Sequence, residues 1–454
     1  MQSELGLTLM GLLIVGTTVG ILIRGKTHPL IPMTLVPVIG AFITGFGLED
    51  LSTFFEEGLG SVMKVVVMFI FAIIFFGILQ DVGLFTPIIR TLIKTTRGNV
   101  VAVAVGTGLI GVVAHLDGSG STTFLLTIPA LLPLYQALHM SRYVLLTIVA
   151  LAASVMNMVP WGGPLGRAGA VISQDTNTVW MHLIPMQGLA LLFVVAIAFA
   201  LGVREKRRIS ALQAAGELPA TDNIDVHAIA DEFEQKQREK QLEQGYKFRS
   251  GTVPTVLNVL VVVAALVVLL AGLLPPAPTF LIAATLALII NFTSQAEQAD
   301  ALKRHAPNAL SMAGIIIAAA MFLGVLNETG MLEAIALSLI NVLPEAAGPY
   351  LHVAVGMLGV PLDLLTSTDA YYFSVLPIVQ ETVAAYDISG LGAASALILG
   401  NVIGTFVSPF SPALWLALGL ANAQMGRYLK LAFPIAWVFS VIIVGIAFAT
   451  GLLA

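Results

Sequence analysis

Apolar residues run along this chain in long blocks. Blocks near the length of a bilayer crossing cover residues 5–23, 29–47, 61–80, 141–173 and 182–202, and a second set covers 252–274, 278–293, 308–327, 391–424 and 428–453. A spanning helix needs about 20 apolar residues, and no two-residue period marks the strands of a barrel. Two further stretches, 99–138 and 347–386, are apolar at both ends but broken midway, by His115-Leu-Asp-Gly-Ser-Gly-Ser-Thr-Thr123 and by Pro361-Leu-Asp-Leu-Leu-Thr-Ser-Thr-Asp369. Irregular polar backbone at membrane depth persists only where protein or a wet cavity surrounds it, so each is predicted to be a re-entrant helical hairpin with a site at its tip. The predicted fold is an all-α polytopic membrane protein.

Composition agrees with this pattern. Of 454 residues, 57% are hydrophobic and only 10% charged, with a mean hydropathy of +0.95; soluble domains carry roughly 25% charged residues. The absence of cysteine excludes disulfides, thiolate metal sites and a cysteine nucleophile. The first block lacks a basic lead and a small-residue cleavage site, so it reads as a retained span. A nucleic-acid partner is not expected.

The basic residues supply an orientation, because cytoplasmic loops carry the Lys and Arg. If the charged stretch 204–250 is cytoplasmic, the inside ends hold Arg24, Lys26, Arg90, Lys94, Arg97, Arg142, Lys303, Arg304, Arg427 and Lys430, and only Lys64 and Arg167 of the 21 basic residues fall elsewhere. Both termini are then expected outside an inner membrane, with the first hairpin opening inward and the second outward. Five spans per half is an odd number, which inverts the second copy relative to the first, an architecture common among transporters. Self-similarity points the same way. Gly77-Ile-Leu-Gln-Asp-Val-Gly-Leu84 matches Gly324-Val-Leu-Asn-Glu-Thr-Gly-Met331 at an offset of 247, and Asp117, Ser121 and Thr122 fall on Asp363, Ser367 and Thr368 at 246. The expected units are an inverted repeat over 1–203, a linker over 204–250 and a second repeat over 251–454, each repeat having five transmembrane helices plus one hairpin.

Candidate chemistry gathers at the breaks. Asn157 in Asn157-Met-Val-Pro-Trp-Gly-Gly-Pro164 and Asn401 in Asn401-Val-Ile-Gly-Thr-Phe-Val-Ser-Pro409 precede Gly and Pro residues that cannot continue a helix. Half-helix N-termini carry partial positive charge and free N–H groups, which bind carboxylate oxygens without a basic side chain. Ser119, Ser121, Thr122, Ser367 and Thr368 add hydroxyls, which either contact a ligand or cap the half-helices. Asp117, Asp363 and Asp369 are costly in a membrane interior and mark a site for metal or proton, with helix capping as the ordinary alternative for Asp117 and Asp369. Oxygen ligands of this kind suit hard cations such as magnesium and calcium. His115 is either a titrating neighbour or a packing residue, and Arg167 either touches an anion or anchors the broken helix. The pattern predicts an anion taken together with a proton or divalent cation.

The longer motifs then carry a resemblance. Leu116-Asp-Gly-Ser-Gly-Ser-Thr-Thr-Phe124, Leu132-Pro-Leu-Tyr135, Met156-Asn-Met-Val-Pro-Trp-Gly-Gly-Pro164, Asp369-Ala-Tyr-Tyr-Phe373, Leu376-Pro377 and Ser408-Pro409 closely resemble the citrate-metal:proton symporters, the CitMHS family of the ion transporter superfamily, over nearly the whole chain. The resemblance implies uptake of citrate, or a related carboxylate, complexed with a divalent metal and driven by protons. It also implies an elevator motion and a scaffold that forms a homodimer. It places contacts on Asp117, Ser119, Ser121, Thr122, Asn157, Trp161 and Gly162 and on Ser367, Thr368, Asp369, Asn401, Thr405 and Ser408, with Gly120 and Gly163 beside them. No permanently bound cofactor is expected; the divalent cation and protons enter as co-substrates.

Two rival classes remain open at this stage. A sodium/proton antiporter of the same superfamily would also want acidic hairpin tips. An enzyme is not expected, since the seven histidines form no helical ligand pair and no nucleophile with its base stands out. Gly106-Thr-Gly-Leu-Ile-Gly111 fits a dinucleotide pattern but no strand precedes it. The segment 210–244 alternates charge at helical spacing and reads as a solvated linker.

Overall fold

The computed structural model describes residues 4–454 apart from 25, 219–224, 244–246, 343, 345 and 366–367, and describes the backbone alone at 23, 61, 240 and 242. The chain opens with α1 (Glu4–Arg24), α2 (Leu30–Ile43), the long α3 (Leu48–Asp81) and the short α4 (Thr86–Thr95). A hairpin of α5 (Val100–Ala114) and α6 (Gly120–Ala137) follows, then α7 (Arg142–Met156) and α8 (Gly163–Val171), which a break at 157–162 separates, and α9 (Thr176–Ala214). The linker holds α10 (Val226–Glu243). The order then recurs with α11 (Thr252–Leu270), α12 (Pro276–Asn291), α13 (Gln295–Glu328) and α14 (Met331–Val342). The second hairpin comprises α15 (Leu351–Met357), α16 (Gly359–Leu365), α17 (Thr368–Ala370), a π-turn Tyr371–Val375 and α18 (Leu376–Ala384). The broken pair α19 (Gly390–Asn401) and α20 (Pro412–Leu420) and the closing α21 (Met425–Ala449) complete it.

By length and composition, α1, α3, α9, α11, α13 and α21 suffice to cross a membrane, and the chain is a multi-pass membrane protein. The first arm of the second hairpin, Gly348–Met357 followed by Gly359–Leu365, bends by 64°. α5 and α6 fall within 99–138, α15 to α18 within 347–386 and α7 and α8 within 141–173, while α19 begins one residue ahead of 391–424.

Two bodies of helices emerge from the packing. In one, α3 lies along α13 and α12, with α1, α2 and α11 around them; in the other, α5 and α6 pack with α7 and α9, and α15 and α18 with α19 and α21. The bodies meet where α8 touches α3 and where α14 bridges α1 and α18. The two hairpins enter from opposite ends of α9. At one end Glu205 accepts from the Ser141 N–H at 2.8 Å and Arg208 donates to the His139 carbonyl at 2.6 Å, both at the base of the first hairpin. At the other end His182 bonds the Leu452 carbonyl at 2.9 Å, and His352 at the base of the second hairpin bonds Leu453 at 3.0 Å.

Glycine sets how closely α3 and α13 approach. A Cβ on Gly58 would lie 2.1 Å from the Ala320 carbonyl oxygen, and one on Gly324 would lie 2.1 Å from that of Phe54. Small residues allow such backbone contact in a bilayer, where apolar surface gains little by leaving lipid and dispersion contact does most of the holding. The linker helix α10 departs from the solvated reading. Val226, Ala230 and Phe233 are buried in one stripe, Asp231 pairs with Arg90 at 2.6 Å and Lys94 at 2.9 Å, and Gln241 donates to the Asp81 carbonyl at 2.9 Å. Charge at helical spacing described the outer face of this helix and hid an inner one.

Gly324→Ala is expected to destabilise the protein by about 1–3 kcal/mol, as overpacking of a tight contact does, read as a lower melting temperature in detergent. Gly20→Ala, with nothing within 4 Å of the added carbon, should leave melting unchanged or raise it.

Candidate functional site

Each hairpin tip is built around an aspartate bonded to the threonine five residues later. In the first, Asp117 follows the end of α5, accepts from the Ser119 N–H at 2.9 Å and receives the Thr122 hydroxyl. Gly118, with φ +70°, turns the chain there. In the second, the Thr368 hydroxyl donates to Asp363 Oδ1 at 3.4 Å, and Asn401 Nδ2 donates to the same oxygen at 3.0 Å. Ser408 Oγ donates to the Asp363 carbonyl at 2.5 Å, so the second tip is pinned to the second broken helix from both sides of its break.

The first break has the same logic. Asn157 ends α7, and the chain doubles back so tightly that a Cβ on Gly162 would sit 2.1 Å from the Asn157 carbonyl oxygen. Trp161 Nε1 donates to the Leu116 carbonyl at 2.8 Å, tying the break to the first tip, while its ring stacks on Phe76 and meets Phe280 edge-on, both from the other body. His115 has a partner at each ring nitrogen, Thr123 Oγ1 at 2.7 Å and Asn157 Oδ1 at 3.4 Å, and is wholly buried. It joins hairpin to broken helix.

The two halves also interlock. Arg167, one turn into α8, bonds Asp369 of the second hairpin through Nε at 2.6 Å, and both side chains are nearly enclosed. Gly163 leaves room for this guanidinium, since its Cβ would lie 2.6 Å from Nη1. In the other direction Phe406, from the second break, packs edge-on against His115 and Phe124 and against Gly120, whose Cβ it would meet at 2.2 Å. Each broken helix thus reaches into the opposite hairpin.

A cavity of about 520 Å³ opens on the linker face and reaches the first tip. Asp117, Gly118, Ser119, Gly120, Thr122 and Trp161 line it, together with Asp81, Arg304 and His305 from α3 and α13. Ser121 is exposed outside this lining. Asp363, Asn401 and Ser408 are buried beneath the second tip and do not line it, so the two tips do not share this cavity. Ser367 lies outside the described residues. Around Asp363, three oxygens are buried without a protein partner among the described residues: Asp363 Oδ2, Asn401 Oδ1 and Thr405 Oγ1. Sequence reasoning did not single out Phe406, Asp81 or His305. Asp81 was in view, as the acid aligned with Glu328 in the repeated block, but only as a mark of similarity.

The model of the citrate transporter family matches residues 6–404. The chain belongs to that family. It is 34% identical over 438 residues to a "Citrate transporter" of Bacillus subtilis (strain 168), covering 96% of this chain and 97% of that one. It is 30% identical over 443 residues, 98% of each, to a "Mg(2+)/citrate complex secondary transporter" of the same organism. Two solved transporters share the fold: Alcanivorax borkumensis YdaH, with a TM-score of 0.55, 14% identity and 99% of each chain covered, and Neisseria gonorrhoeae MtrF, with a TM-score of 0.56, 13% identity, 88% of this chain and 83% of that one covered. A member of the citrate transporter family is a secondary transporter, not an enzyme.

Removing one partner of a buried ion pair costs roughly 3–5 kcal/mol, while replacing both by apolar side chains costs far less. Arg167→Met and Asp369→Leu are each expected to lower the melting temperature sharply, and the double variant to recover most of the loss. Additive losses would show that the two groups do not depend on each other.

Proposed function

We propose that this protein imports citrate, or a closely related carboxylate, as a complex with a divalent cation of the magnesium or calcium class, coupled to protons. The observation that carries the reading is the pair of aspartate-bearing tips set against broken helices that present N–H groups and hydroxyls. A metal–citrate complex offers both anionic oxygens and a cation, and such a tip answers both. Carboxylate oxygens of the cargo fit the half-helix N-termini and the hydroxyls of Ser119 and Thr122. Asp117 and the oxygens around Asp363 suit the cation or a proton. Among the described residues no three His, Cys, Asp or Glu side chains gather into a metal cluster. This favours a cation that arrives already wrapped in carboxylate oxygens.

The packing supports a mechanism of alternating access. Helices α1–α3 and α11–α13 form the fixed scaffold in this reading, with large exposed apolar side chains such as Leu9, Leu35, Leu260 and Ile282 for lipid and for a second copy in a homodimer. The hairpins and broken helices, interlocked through Arg167, Asp369 and Phe406, move as one elevator body. The halves 1–203 and 251–454 are inverted repeats on either side of the linker 204–250. The linker face is cytoplasmic, both termini are outside the inner membrane, and the cavity is the inward opening.

Radiolabelled citrate uptake into proteoliposomes checks this reading. Uptake is expected with magnesium or calcium and an inward proton gradient, to fall to background with chelator, and to drop by about tenfold or more in Asp117→Asn, a loss of about 1.4 kcal/mol or more of coupling. Equal uptake with chelator and metal would contradict it, and cation exchange without any organic acid would favour an antiporter.

A further inference from the structure

The wall of the cavity opposite the first hairpin carries a charged trio that the proposed function leaves unused. His305 Nε2 lies 3.0 Å from Asp81 Oδ2, and Arg304 Nε lies 2.9 Å from the same oxygen. The side chains are only 14%, 12% and 22% exposed for His305, Asp81 and Arg304. Ionisable groups this enclosed in a membrane protein are expensive to keep, and they commonly mark proton or ion pathways.

The geometry fixes which nitrogen is reactive. A carboxylate can only accept, so the neutral imidazole presents Nε2–H to Asp81 and leaves Nδ1 as an open acceptor. That nitrogen faces Gly77, where an added Cβ would stand 2.4 Å away. Glycine at 77 therefore makes room for the ring beside the cavity, which both residues line. The arrangement belongs to one end of the scaffold alone. At the offset of 247 that relates the two halves, Asp81 falls on Glu328 but His305 falls on Gly58, and Gly58 presses directly on the Ala320 carbonyl. One crossing of α3 with α13 is closed by glycine and backbone. At the other the imidazole packs on Gly77 and borders the cavity.

The charged groups facing His305 are few. Asp81 comes from α3 and Arg304 from its own helix, Asp117 lines the cavity from the hairpin, and the linker helix contributes the neutral Gln237 and Gln241. Arg304 and His305 share the one Asp81 oxygen, Oδ2.

We propose that His305, positioned by Asp81 and Arg304, is the proton-transfer station of the linker-face cavity, taking up at Nδ1 the proton that arrives with the cargo and passing it to water at the mouth. The step is a proton transfer only. The Nδ1–H bond forms as the carrier in the cavity loses its proton, and it breaks again when water on the linker face accepts that proton. The inference rests on the proton-coupled reading above.

Two assays on the reconstituted full chain test it: net uptake of magnesium–citrate driven by a pH gradient, and citrate–citrate exchange at equal pH, which needs no net proton release. His305→Gln is expected to lower gradient-driven uptake by about 10²-fold, the low end of what a positioned proton-transfer group contributes, while exchange persists. Gly77→Ala, which crowds Nδ1 but keeps the imidazole, should show the same split to a smaller degree. Gradient-driven uptake at the parent's rate in His305→Gln, or loss of exchange in step with uptake in both variants, would overturn the assignment. A parent protein without any proton-linked uptake would overturn the functional reading instead, and that control is measured first.

Discussion

Backbone that leaves the helix inside a bilayer has to find every partner within the protein, because lipid offers none. Much of the second body is organised by this constraint. The first tip satisfies its chain with the Asp117 carboxylate and with Trp161, the second with Asn401 and Ser408, and each break is bound to its own hairpin. The Arg167–Asp369 pair then ties the first break to the second hairpin. These contacts make the hairpins and broken helices a single unit, and a shift of one tip relative to another would strand charged and polar groups at several kcal/mol each.

Against this unit stands a scaffold of a different kind. Its central helices α3 and α13 approach backbone to backbone at Gly58 and Gly324. Contacts from the scaffold to the hairpin unit are largely aromatic and apolar at the first site, where Trp161 meets Phe76 and Phe280. Polar bonds within each unit and smooth apolar contact between them suit the sliding that an elevator requires, which is why the proposed mechanism assigns the motion to this boundary.

The parts legible in the sequence were those set by the bilayer. Apolar length marked the six helices long enough to cross a membrane, α1, α3, α9, α11, α13 and α21, and the polar stretch His115 to Thr123 marked the break between α5 and α6. Asp117, Asp363, Asn157 and Asn401 stood out for the same reason, as polar groups where polarity is costly. What lay beyond reach were relations between segments distant in the chain. That Arg167 meets Asp369, 202 positions away, or that Phe406 fills the space at Gly120, depends on which helices cross and at what depth. The buried face of the linker helix was missed because its charged positions outnumber the buried Val226, Ala230 and Phe233. His305 was only one of seven histidines with no ligand pair at helical spacing, since nothing local distinguishes a histidine that faces an acid on another helix.

The central claim is that the hairpin unit moves against the scaffold when anion and cation are taken together. The chain has no cysteine, so a pair of spin labels can be placed without background, one at the exposed Leu109 of α5 and one at the exposed Leu257 of α11. Pulsed electron resonance in lipid nanodiscs then reads the distance between the two bodies. The account predicts a shifted distance distribution with magnesium and citrate together and none with either alone. An unchanged distribution in all conditions, or the same shift with citrate in the presence of chelator, would contradict it.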